Sequence, residues 1–210
     1  MIKVAIVDDH TLLRRGLHQI ITESVGMEVI GEAGSSAQAM SLLREKPCHV
    51  MLLDITLPDR NGIETLKLAH KEFPNLKVLV LSMHPESEYA VRALKAGAAG
   101  YLNKQSAPAQ LVSAIRQVNL GRKFVTPEVA EELAHSLNQN SDQPLHQALS
   151  NREYQTMCLI ASGKTLTEIA HQMSLSVKTV SVYRARTLEK MRLKNNAELT
   201  HYAIKHRVVE

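Results

Sequence analysis

The 210-residue sequence has no tryptophan, only 3% aromatic residues and two cysteines. Scarce aromatics mean that any core must be built from Leu, Ile, Val, Ala and Met. Cys48 and Cys158 stand far apart in stretches of different character, so each reads as a reduced core thiol rather than half of a disulfide. No apolar run approaches the length that spans a bilayer. Residues 1–7 (MIKVAIV) lack the long apolar centre and cleavage site of a secretory signal. These absences predict a soluble, cytoplasmic protein with no membrane partner. Basic residues are also missing from one place: residues 124–149 hold four acidic side chains and none that is basic.

The remaining composition is ordinary, with 44% hydrophobic and 22% charged residues. A formal net charge of +4 is concentrated late in the chain. Between residues 178 and 194 lie Lys178, Arg184, Arg186, Lys190, Arg192 and Lys194, against Glu189 alone. Such a run is either a solvated helix face or a surface for a polyanion, and its context must decide.

Apolar, β-branched segments alternate with helical ones five times before residue 121. The expected strands are 2–7, 27–33, 49–53, 77–81 and 99–102; the expected helices are near 11–24, 35–45, 62–72, 86–96 and 106–119. This alternation predicts an α/β unit, a doubly wound (flavodoxin-like) five-stranded parallel sheet. Ligands of such sheets bind at the carboxyl ends of the strands. Acidic residues collect there. The first strand runs into Asp8 and Asp9, and the third, HVMLL, delivers Asp54. Carboxylates this close raise one another's pKa unless a cation joins them, and oxygen donors suit Mg²⁺. Ser82 and Lys104, at the ends of the fourth and fifth strands, supply a hydroxyl and an ammonium suited to a phosphoryl group.

After a short helix signal at Thr126–Glu128, NQNSDQP marks a linker over 138–147. From Ser150 onward only helices are expected. Ser150 with Glu153, and Thr165 with Glu168, are capping boxes, and Ser176 caps the next helix. Two short helices across a tight turn, with the basic run on the second, form a helix-turn-helix pattern. On a helical wheel Val177, Val180, Thr187, Leu188 and Met191 face inward, and Lys178, Ser181, Val182, Ala185 and Glu189 outward, flanked by Arg186 and Lys190; Arg184 falls toward the core side. Small and apolar outward residues suit base edges and thymine methyls, and the cations suit phosphates.

Residues 1–121 resemble a response-regulator receiver domain, with Asp8, Asp9, Asp54, Ser82 and Lys104 on its marker positions and Leu57, Pro58 and Gly62 on its LPxxxG stretch. The resemblance implies that Asp54 is the phosphoacceptor and that Asp9, Asp54 and the Thr56 carbonyl bind Mg²⁺ directly, with Asp8 acting through water. It also implies that Ser82, Tyr101 and Lys104 respond to the phosphoryl group, with Thr56 and His84 tuning dephosphorylation. Residues 149–207 resemble the DNA-binding domain of the NarL/FixJ (LuxR-type) class through LSNRE, ASGKTLTEIA, LSVKTV and LEKMRLKNNAEL. Ser181 and Tyr183 replace that class's usual Lys and His, which implies an altered recognition sequence.

Together the resemblances imply a receiver at 1–121, a linker with a short helix at 122–148 and a four-helix DNA-binding domain at 149–210. The expected DNA contacts are Thr165, Thr167, Lys178, Thr179, Ser181, Val182, Ala185, Arg186 and Lys190. The implied protein is a transcription factor switched by a sensor histidine kinase, forming a homodimer on phosphorylation, binding paired half-sites of promoter DNA and possessing no catalysis beyond its own phosphotransfer and dephosphorylation. RNA polymerase is a further expected partner. Three other readings are weaker. A dehalogenase-type phosphatase needs a second Asp where Thr56 stands, and the first strand–helix turn, DDHTLLRRG, is not glycine-rich enough for a nucleotide. A DNA-binding regulator indifferent to phosphorylation leaves the acidic set unexplained.

Overall fold

A computed structural model describes residues 1–82, 86–104, 108–138, 144–206 and 208–209. The expectations for His84, for the onset of the helix after residue 104 and for most of NQNSDQP lie outside them.

The chain forms two compact units, Met1–Ser136 and Leu137–Glu210. In the first, β1 (Ile2–Val7), β2 (Met27–Ala33), β3 (Val50–Asp54), β4 (Lys77–Ser82) and β5 (Gly100–Asn103) alternate with α1 (Thr11–Thr22), α2 (Ser36–Glu45), α3 (Gly62–Glu72), α4 (Glu86–Lys95) and α5 (Pro108–Asn119). All pairings are parallel, in the order β2-β1-β3-β4-β5. β1 and β3 are therefore neighbours, as the convergence of Asp8, Asp9 and Asp54 requires. Three strands end one residue later than expected, so that Asp54, Ser82 and Asn103 belong to the sheet itself. The middle strands are buried on both faces, Val50 to Leu53 completely, which is why they read as continuous apolar runs. Gly97 and Gly121 take φ of +108° and +79° where helices end, a conformation that glycine adopts without strain.

The first unit does not stop at residue 121. The backbone returns along the edge of β5, where Phe124 forms a parallel bridge with Gly100. The Phe124 amide donates to the Ala99 carbonyl (3.0 Å), and the Tyr101 amide donates to the Phe124 carbonyl (3.2 Å). The next helix, α6 (Pro127–Asn138), follows, with Val129 buried. The expected linker is thus divided between the units, and its later part contains a 3₁₀ turn, Leu145–Ala148.

In the second unit α7 (Asn151–Ala161), α8 (Leu166–Gln172), α9 (Val177–Lys190) and α10 (Asn196–Lys205) follow one another. Both capping boxes are formed, and Ser176 Oγ accepts from the Thr179 amide. Val180, Leu188 and Met191 of the α9 segment are buried with Met157, Ile169 and Leu199. One inward expectation fails: Val177, the first helical residue of α9, is 44% exposed.

Candidate functional site

The carboxyl ends of β1, β3, β4 and β5 bring together the acidic set and a lysine. Asp8 and Asp54 are buried, and Lys104 Nζ lies between them, 2.6 Å from Asp8 Oδ2 and 2.8 Å from Asp54 Oδ2. These contacts are close in distance but off the hydrogen-bond direction, so neither oxygen accepts a well-aligned hydrogen bond. Two buried anions share one cation. Burial pushes the Asp54 carboxyl up to about 6; Lys104 opposes the rise, Asp8 adds to it, and a hydrogen bond from the Thr56 amide opposes it again. Burial disfavours the Lys104 ammonium, but the two carboxylates overcome this and hold it above the ordinary lysine value.

The remaining members stand close by. Ser82 is buried at the end of β4 in register with Asn103, and its carbonyl accepts from the Lys104 amide at 2.8 Å. Tyr101 is almost completely buried within β5. Gly62 packs against the Asp54 backbone so tightly that a Cβ there would stand 2.2 Å from the Asp54 carbonyl oxygen.

One member was not expected. His10 follows the aspartate pair, and its Nδ1 lies 2.8 Å from Asp9 Oδ1 and 3.1 Å from Asp8 Oδ1. Asp8, Asp9, His10 and Asp54 each place a ligand atom within 4.8 Å of the others. The third titratable residue of DDH was the available signal for it. The cluster fits a divalent cation: it is rich in carboxylate oxygen, and the one shared ammonium leaves buried anionic charge unbalanced.

On the second unit, α9 exposes Lys178, Ser181, Val182, Ala185 and Arg186 along one stripe, with Val182 43% exposed and Thr179 half-buried beside it. Thr165 and Thr167 are exposed at the start of α8. Two cations of the run are already engaged within the unit. Lys190 Nζ donates to Glu153 Oε2 at 2.6 Å, and Arg184 Nε donates to Asn196 Oδ1 at 2.6 Å, which accounts for its position on the core side of α9. Burial pushes the Glu153 carboxyl up, but hydrogen bonds from Lys190 and Ser150 prevail and leave it below the ordinary carboxylate range. Thr165 Oγ1 is occupied by Glu168 in its capping box.

This pairing of an acidic, lysine-bridged strand edge with a separate helix-turn-helix unit defines a two-part regulatory protein. Residues 4–116 match the response regulator receiver domain, and residues 147–203 match the bacterial regulatory proteins of the luxR family. The chain is 36% identical over 207 residues to the response regulator UvrY of Escherichia coli strain K12, covering 98% of this chain and 95% of that protein. It is 35% identical over 212 residues to the response regulator GacA of Pseudomonas aeruginosa, covering 100% and 99%. Among solved structures it resembles RcsB of Salmonella enterica serovar Typhimurium bound to a promoter in the presence of the phosphomimetic BeF3⁻, at 26% identity and a TM-score of 0.65, over 96% of this chain and 97% of that one. The chain belongs to the NarL/FixJ family of two-component response regulators.

Proposed function

We propose that this protein is a cytoplasmic transcription regulator whose affinity for promoter DNA is set by phosphorylation of Asp54 from a sensor histidine kinase. The observation that carries the reading is the buried Asp54 carboxylate, held beside Asp8 and Lys104 at the strand edge of a receiver domain that is joined to a LuxR-type unit.

Asp9, Asp54 and the Thr56 carbonyl would hold Mg²⁺, with Asp8 beside them, and His10 orients the Asp8 and Asp9 carboxylates. When bound, the cation would supply charge neutralisation for the entering phosphoryl group. One Asp54 oxygen attacks phosphorus while the bond from phosphorus to the donor imidazole nitrogen breaks and that nitrogen takes up a proton. Lys104 is released from balancing two carboxylates and pairs with the phosphoryl oxygens, and the Ser82 hydroxyl donates to another. Ser82 ends β4 and Lys104 directly follows β5, so the added charge is felt along the edge that carries Tyr101 and the Phe124 bridge. The protein catalyses no reaction beyond gaining and losing its own phosphoryl group.

At the DNA, Lys178 and Arg186 supply phosphate contacts, and Thr179, Ser181, Val182 and Ala185 face base edges, with Thr165 and Thr167 at the flanking backbone. Lys190 contributes less than its charge suggests because Glu153 holds it. RcsB has been solved as two dimers on two DNAs, at 27% identity and a TM-score of 0.61. By analogy this chain acts as a homodimer on paired half-sites, with RNA polymerase as the partner it then recruits or blocks. Intact-protein mass after incubation with Mg²⁺ and acetyl phosphate tests the acceptor. The wild type gains one phosphoryl group and Asp54→Asn gains none; equal gain by both places the acceptor elsewhere.

A further inference from the structure

The loop between β3 and α3 joins the acceptor to Gly62 and is fixed at several points. Asp59 reaches from it to the start of α2, where its Oδ1 accepts from the Ser36 amide (2.8 Å) and its Oδ2 from the Ala37 amide (2.9 Å). These are first-turn amides, which have no partner within their own helix and lie at its positive end. Beside them, Thr65 Oγ1 of α3 donates to Ser36 Oγ at 2.9 Å, with both residues buried. Asn61, completely buried, caps α3 by accepting from the Ile63 amide. The Gly62 amide donates to the Ile55 carbonyl at 2.7 Å and closes the loop on itself. At the loop's near end the Thr56 amide lies close enough to the Asp54 carboxylate to favour its charged form.

We infer that Asp59 is a positioning residue for the phosphoacceptor: by anchoring the loop on the first turn of α2 it fixes Thr56, and through Thr56 it holds the Asp54 carboxylate in its attacking orientation. Asp59 touches neither the phosphoryl group nor the cation, and the inference rests on the reading of Asp54 as acceptor. The energetic scales separate the two roles that Asp59 can have. An exposed carboxylate on two helix N-terminal amides contributes little to stability, and its loss reads as a few degrees in the unfolding temperature. Misplacing a reacting group by about 1 Å costs on the order of a hundredfold in rate. A positioning role therefore shows in the rate of phosphorylation well before it shows in unfolding.

The test is the initial rate of phosphorylation of the full chain by acetyl phosphate, together with the Mg²⁺ concentration that half-saturates thermal stabilisation. Asp59→Ala is expected to slow phosphorylation about tenfold or more and to raise that Mg²⁺ concentration several-fold, while unfolding a few degrees lower. Asp59→Asn keeps one acceptor oxygen and recovers part of the rate. Ser36→Pro removes the amide at the other end of the contact. It suits the backbone, because Ser36 is the first helical residue and Ser35 is extended at φ −152°, ψ 163°. It should reproduce the slow phosphorylation, with Ser36→Ala controlling for the lost hydroxyl. Asp59→Ala reacting at the wild-type rate overturns the inference, as does a rate loss that matches the fraction unfolded in every variant. A wild type that takes no phosphoryl group overturns the acceptor reading and this inference with it.

Discussion

Lys104 stands between two buried carboxylates, and one positive charge cannot satisfy both. The fold holds Asp54 in a place that disfavours its charge, and without a cation that costs stability. Asp54→Asn should therefore raise the metal-free melting temperature, by an amount equivalent to roughly 1–3 kcal/mol. Mg²⁺ should stabilise the wild type and have little effect on Asp54→Asn. An asparagine variant that melts at or below the wild type would show that Lys104 already compensates the site. Glu153 behaves in the opposite way. Its carboxyl is held below the ordinary value, so the unfolded chain takes up protons more readily than the folded one as pH falls. Its contribution is present above the ordinary carboxylate range and is lost on acidification. With Lys190 Nζ partly exposed, the pair is worth about 1 kcal/mol. Thermal unfolding of Glu153→Gln should be lowered at neutral pH and should converge with the wild type only below the ordinary carboxylate range, as pH falls through the depressed value of Glu153.

Among the elements, those that announce themselves by period or by punctuation were the legible ones. β3 is buried on both faces and so appears as VMLL, and Ser150, Thr165 and Ser176 cap helices through side chains chosen for that purpose. Asp8, Asp9, Asp54, Ser82 and Lys104 were legible for the same reason, since each ends a strand whose position is set by its apolar run. What the sequence concealed depends on pairs distant along the chain. Nothing in LGRKFV marks Phe124 as a partner of β5, and nothing in the basic run shows that Lys190 answers Glu153, 37 positions away. The compact unit runs past residue 121, and the return of Phe124 to the sheet edge that extends it carries no local pattern. That return depends on Gly100, where a Cβ would meet the Phe124 carbonyl oxygen at 2.6 Å and Leu79 Cδ1 at 3.0 Å. Gly100→Ala should cost about 1–3 kcal/mol. Hydrogen exchange locates the effect: the Tyr101 and Phe124 amides should lose protection together while those of β1 and β3 keep theirs.

At the scale of the whole molecule, the switch and the reader occupy separate units, so their coupling must be measured in the full chain. The charge on α9 that remains free to meet DNA is smaller than composition suggests, since Arg184 and Lys190 are engaged internally. Lys178→Gln and Arg186→Gln should each reduce the slope of log affinity against log salt by about 1, whereas Lys190→Gln should leave it unchanged and lower stability instead. A full change of slope for Lys190→Gln would mean that the Glu153 contact opens on DNA. The most direct test of the account uses a duplex selected from a randomised pool by the wild-type chain in Mg²⁺ and acetyl phosphate. Its affinity is then measured for the wild type and for Asp54→Asn, with and without the phosphodonor. The account predicts a gain of about tenfold with the donor in the wild type alone, within the usual range of coupling between two sites. An equal gain in both proteins, or none in the wild type while it still binds the duplex, would contradict the claim that Asp54 governs DNA binding.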